Sequence, residues 1–188
     1  MEYKELITCF DSNLEILKKY DYGVSAVFKV ERKNNLYILK VGELDQNIQK
    51  YGIENETRIL LKAKDVQGIT KLVEQYEIKQ NHIAILKEYA PGKTVEDFPY
   101  KIGSPRLTDQ IIETIRELHG LGIAGLDIRK LNIVVSPDFS KATMIDIGFA
   151  RIRERFDKGR FALDKHVDLM GLKDIFCSEK DFEEDKYI

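Results

Sequence analysis

LHGLGIAGLDIRKLNIVV (residues 118–135) and MIDIG (residues 144–148) are the stretches around which the rest of the chain is read. A lone Asp127 is followed five positions later by Asn132, then by the β-branched run Ile133-Val134-Val135. Asp146 stands fourteen positions after the Asn, with Gly148 two further on. A phosphoryl-transfer site needs its parts in this order: one carboxylate to receive the acceptor's hydroxyl proton, then an amide oxygen and a second carboxylate to hold metal on nucleotide phosphates. The runs 133–135 and 142–145 predict a hairpin that brings the three side chains together.

Bulk properties fit such a reading without forcing it. With 188 residues the chain suffices for one domain or two small lobes around a buried core. A hydrophobic fraction of 43% beside 33% charged residues is that of an ordinary globular protein. The formal net charge of −2 supplies no general attraction to nucleic acid or to an anionic membrane. Cys9 and Cys177 lie far apart with no metal-ligand spacing, which predicts two free thiols in a reducing, cytoplasmic setting. No apolar leader opens the sequence, and no uncharged run approaches the ~18 residues of a membrane span.

Residues 14–41 alternate strand and turn, with Lys33-Asn34-Asn35 as the polar turn of a hairpin. Tyr22-Gly23-Val24-Ser25 suits a turn that covers a phosphate or, equally, a plain hairpin turn. Lys40 interrupts an apolar strand, where an outward-facing edge position is the simplest explanation. The following helix, residues 46–66, alters that: Ile48, Gly52, Ile59, Leu60 and Ala63 share a face, and Glu56 falls on it while Glu54 points away. A carboxylate on a core-facing stripe is costly unless paired, and Lys40 is its natural partner. Strands at 72–78 and 83–89 follow around Gln80-Asn81; then Glu88-Tyr89-Ala90-Pro91-Gly92-Lys93 breaks the periodicity as a hinge would, with backbone groups suited to an adenine edge.

Residues 106–120 are helical, burying Leu107, Ile111, Ile115 and Leu118 and stopping at Gly120 and Gly122. His119 near that end is a structural histidine, because Asp127 is the better base. Arg151, Arg153, Arg155, Lys158 and Arg160 crowd one stretch, expected as a solvated face, or alternatively as a docking surface for an anionic substrate or protein partner. A final apolar helix is expected from Val167 to about Phe176, ahead of an acidic tail, residues 177–188.

These residues resemble the protein-kinase superfamily over about residues 22–176. The resemblance implies an α+β, two-lobed fold in a single domain. Residues 14–89 would form a lobe of antiparallel sheet plus one helix, and residues 93–176 a reduced, mainly helical lobe. It further implies ATP and Mg²⁺ as cofactors. Gly23, Ser25 and Val27 would belong to the phosphate-covering loop, Lys40 and Glu56 to the lysine–glutamate pair, and Glu88 to Ala90 to the hinge. Asp127 matches the catalytic-loop base, Asn132 and Asp146 the metal ligands, and Asp168 the aspartate that braces the catalytic loop's backbone. The chain looks most like the minimal atypical kinases, the RIO group and the small kinase of the KEOPS tRNA-modification complex. It departs from the pattern at Gly125-Leu126, where His-Arg or His-Gly usually precedes the base, and at Ile147, which stands for Phe. An Ala-Pro-Glu segment is missing, and the acidic tail differs from the basic tail of the KEOPS-type kinase, which weakens a tRNA-linked role. The expected activity is a small serine/threonine protein kinase. Two others stay open: a kinase-like phosphotransferase acting on a sugar, aminoglycoside or lipid-linked saccharide, and a nucleotide-binding pseudokinase that serves as an interaction module.

Overall fold

A computed structural model describes residues 3–20, 24–79, 81–99, 104–155 and 158–176. The chain is α+β, compatible with a small kinase-like fold, and divides into two compact units: residues 1–64 with 70–89, and residues 65–69 with 90–188.

The first unit is a five-stranded antiparallel sheet between two helices. Its elements are α1 (Tyr3–Phe10), β1 (Glu15–Tyr20), β2 (Ala26–Arg32), β3 (Asn35–Glu43), α2 (Asn47–Lys62), β4 (Leu72–Lys79) and β5 (His82–Glu88). The strands lie in the order β1-β2-β3-β5-β4. The β2–β3 turn is the polar one expected: Lys33 and Asn34 take φ of 52° and 63°, the left-handed pair that a tight hairpin matched to strand twist requires.

Strand parity then sorts the side chains. Phe28, Val30, Leu39, Val41, Ala84 and Leu86 form one buried cluster with Leu6 and Ile7 of α1. Ile83 and Ile85, of opposite parity, pack with Ile53 of α2. A sheet apolar on both faces must be covered on both, so this unit carries two helices where the sequence predicted one. Asp11, just past α1, is held by Arg32, which also reaches Glu74, so the helix's exit is tied to β2 and β4.

α2 differs from expectation in its contact stripe. Gly52, Ile59, Leu60 and Ala63 are buried as read, together with Ile53, but Ile48 is 60% exposed. Ile48 shares the face by angle, yet it lies in the first turn, ahead of where packing begins.

The second unit contains β6 (Lys93–Thr94), α3 (Pro105–Gly120), β7 (Ile123–Ala124), β8 (Ile133–Val135), β9 (Ala142–Met144), β10 (Arg151–Ile152) and α4 (Lys158–Phe176). Ser104 caps α3 through Leu107 N–H, and Pro105 opens its first turn. Leu107, Ile111, Ile115 and Leu118 are fully buried, as the spacing predicted. The helix ends at Gly120, and Gly122 adopts φ 74° beyond it.

Two short ladders organise the loops: β8 pairs with β9, and β7 with β10. In the β8–β9 turn, hydrogen bonds from the hydroxyls of Ser136 and Ser140 and from Ser140 N–H hold the Asp138 carboxyl down to about 2.

α4 begins at Lys158, nine residues ahead of the expected start, and Val167 is 56% exposed rather than core. Its buried stripe is Phe161, Asp164, Asp168, Leu172 and Ile175. Two aspartates on that stripe conceal the apolar period.

Ile7 is 1% exposed and central to the α1 face. Ile7→Ala is expected to destabilise the protein by about 2–5 kcal/mol, the range for truncating a buried isoleucine. Urea unfolding beside Leu17→Ala, which alters a 45% exposed side chain and should be near neutral, measures it.

Candidate active site

The predicted site residues fall into two groups, one on each unit. On the first, Lys40 emerges from β3 on the α2 side of the sheet, and its Nζ donates to Glu56 Oε2 at 2.9 Å. The lysine side chain is 8% exposed and the glutamate 0%, so the outward-facing alternative for Lys40 is excluded. Lys87, which the sequence reading passed over, donates to Glu56 Oε1 from the end of β5. Its position had a signal: residue 87 shares parity with Ile83 and Ile85, both buried on the α2 side. A buried carboxylate that loses its cation costs about 3–5 kcal/mol, and here either lysine alone would still leave Glu56 one.

Ser25 is buried and Val27 partly so; Gly23 lies outside the described residues. Glu88 exposes its side chain, and its N–H donates to Lys71 O at 2.9 Å, so that amide extends the β4–β5 ladder and is not a donor for a base. Tyr89 closes the first unit and Ala90 opens the second.

On the second unit, the Asp127 loop runs between β7 and β8, and the Asp146 loop between β9 and β10. Because β7 pairs with β10 and β8 with β9, the two loops are clamped together at both ends. Ile145 N–H donates to Asn132 O at 2.9 Å, extending the β8–β9 ladder by one bond into the loops. Asn132 Nδ2 donates to the Asp127 carbonyl at 2.9 Å and to its Oδ2 at 3.3 Å. That orientation turns the amide oxygen of Asn132 away from Asp127. Gly148 N–H donates to Asp146 Oδ1 at 3.1 Å, which fixes the second carboxylate against its own turn. One amide oxygen and one carboxylate are hard donors that suit Mg²⁺ when substrate oxygens and water complete the shell. Among the described residues no group of three or more His, Cys, Asp or Glu is arranged to hold a metal unaided.

The backbone ahead of Asp127 is unusual. Gly125 has φ 70° and Asp127 φ 53°, two left-handed residues within three positions. Asp168, 2% exposed on α4, accepts Gly125 N–H at 2.9 Å on Oδ2 and Leu126 N–H at 2.7 Å on Oδ1. His119 Nε2 lies 2.9 Å from the same Oδ2, so this histidine is structural, as read. Gly171, one turn along α4, lies against Ile128, and a Cβ there would approach Ile128 O to 3.1 Å. The helix thus seats directly under the loop.

Gly125 also has a local cause. An added Cβ would sit 3.3 Å from Arg151 Nη1, and Arg151 is bound to Asp164 Oδ1 at 2.5 Å. Arg160 Nε is 3.4 Å from the same oxygen, so two of the five cations in the basic stretch converge on one buried aspartate. Ile147, in the place of Phe, is buried at 3%. Arg129 was not singled out from the sequence; its Nη2 lies 2.6 Å from Asp127 Oδ2.

No protein-family model matches the chain. It is similar to the serine/threonine-protein kinase cds1 of Schizosaccharomyces pombe, 26% identical over 164 residues. The alignment covers 79% of this chain and 35% of that protein, so the chain spans about a third of the length of its curated relative. In sequence the chain is thus distantly similar to one part of a protein kinase. No helix among the described residues is long and apolar enough to cross a membrane.

Asp168→Asn keeps the shape but replaces one accepting oxygen with a donor, leaving a buried N–H unsatisfied. The expected cost is about 1–3 kcal/mol of stability. Hydrogen exchange should also accelerate at Gly125 and Leu126 more than elsewhere in the second unit.

Proposed function

We propose that the chain is an ATP-dependent phosphotransferase that moves the γ-phosphate of ATP to a hydroxyl, most specifically as a small serine/threonine protein kinase of the minimal atypical type. The observation that carries the reading is the buried Lys40–Glu56 pair at 2.9 Å. A lysine fixed in this way is a preset cation for phosphate oxygens. The distant likeness to a serine/threonine-protein kinase supports the same class.

In this reading Asn132, through its amide oxygen, and Asp146, through its carboxylate, hold Mg²⁺. The metal supplies charge neutralisation on the phosphates. Asp127 orients the acceptor hydroxyl and takes its proton. Arg129 Nη2 lies 2.6 Å from Asp127 Oδ2, a contact that holds the carboxylate in one orientation. Catalysis is then chiefly positioning and charge stabilisation, with the left-handed loop held in advance by Asp168.

Asp127→Ala should lower turnover roughly 10²–10⁴-fold, the contribution of a positioned acid–base group, while ATP binding persists. Asp146→Ala should abolish Mg²⁺-dependent nucleotide binding. Transfer from radiolabelled ATP, with the chain itself, generic protein substrates and small hydroxylated acceptors as separate arms, measures turnover and identifies the acceptor class. Full activity in Asp127→Ala would refute the assignment of the base. Stabilisation of the wild type by Mg²⁺ and ATP with no transfer in any arm would favour the interaction-module reading.

A further inference from the structure

Lys87 is the penultimate residue of β5 and stands opposite Ile38 of β3, whereas Lys40 stands opposite Ile85. Partners in an antiparallel ladder share a face, so the two lysines are diagonal neighbours on the side of the sheet that faces α2. Glu56 meets one with each oxygen, Lys40 at Oε2 and Lys87 at Oε1. The lysine side chain at 87 is 4% exposed, and the carboxylate between the two is fully enclosed. Each oxygen of this one buried acid is therefore engaged by a buried ammonium group. Space filling does not explain this, because the other buried β5 residues of this parity are Ile83 and Ile85, which pack without charge.

We infer that Lys87 is a positioning residue for Lys40, acting through Glu56; the inference rests on the reading of Lys40 as the phosphate-binding lysine. An enclosed carboxylate with a single ammonium partner resists sharing it, since any charge given to a phosphate leaves the acid undercompensated. With Lys87 on Oε1, Glu56 keeps a cation whichever way the Lys40 ammonium leans. Lys40 can then divide its hydrogen bonds between Glu56 and a nucleotide phosphate, from a carboxylate that does not move. The polyphosphate is the part of the ligand this arrangement serves, and a nucleoside without phosphates gains nothing from it.

Binding of Mg·ATP and of adenosine to the full chain, measured by calorimetry with folding checked by circular dichroism, tests this. Lys87→Met should weaken Mg·ATP roughly 10- to 100-fold, the range carried by partners standing behind a directly contacting group. Adenosine binding should not change, and Lys87→Arg should restore most of the loss. In a Glu56→Gln background the Lys87→Met effect should vanish, because the route through the carboxylate is gone. That double variant removes both charges together, so comparing it with Glu56→Gln alone decides the matter even if Lys87→Met fails to fold. Wild-type Mg·ATP affinity in Lys87→Met, an equal loss for adenosine, or an undiminished effect in the Glu56→Gln background would each overturn the role of Lys87 and leave the nucleotide reading standing. A wild type that binds neither ligand would overturn that reading, and the role of Lys87 with it.

Discussion

The carboxylate of Asp168 is the constraint on which the second unit's loop geometry depends. Two left-handed residues in three positions are not a conformation a loop keeps by itself. They persist here because two successive amides are collected by one buried acid on α4, which His119 of α3 also contacts. A single side chain thus binds a helix, a second helix and the strained loop into one piece. Charge-assisted bonds from backbone donors to a carboxylate are roughly twice as strong as neutral ones, which suits them to holding strain. The ladders β7–β10 and β8–β9 then extend that fixed point to the Asp146 loop.

Seen from this fixed point, the departures from the familiar kinase signature have physical reasons. Gly125, where a side chain is usual, is left-handed and lies under Arg151, which is drawn toward Asp164. The basic stretch expected as a solvated face is partly turned inward by the same acid. Asp164 is nearly enclosed, and its Oδ2 has no hydrogen-bond partner among the described residues, so the arginines at Oδ1 compensate it one-sidedly.

Much of this was legible in the sequence where polar residues break an apolar pattern singly. Glu56 was found because one carboxylate on an otherwise apolar helical face demands a partner, and Lys40 supplied it. The β2–β3 and β8–β9 hairpins were readable from β-branched runs around short polar turns. Legibility fails where the pattern is broken twice or is too short to form one. α4 shows two aspartates on its buried stripe, so the period emerges only after its midpoint. α1 has eight residues and buries two, too few to show a repeat. Lys87 was hidden by its neighbour: Lys-Glu at a strand's end suggests an exposed exit, and only parity with Ile83 and Ile85 shows that the lysine turns inward.

α1 has a consequence for handling this protein as a fragment. With Leu6 and Ile7 in place, the sheet surface built from Phe28, Val30, Leu39 and Val41 never meets water. A version trimmed to begin at β1 would expose that surface as a continuous greasy slab, of the kind on which soluble proteins self-associate. The short opening helix thus works as a lid on the far side of the sheet from Lys40. Its removal would be felt first in solubility, and at Lys40 and Glu56 only through loss of the fold that carries them.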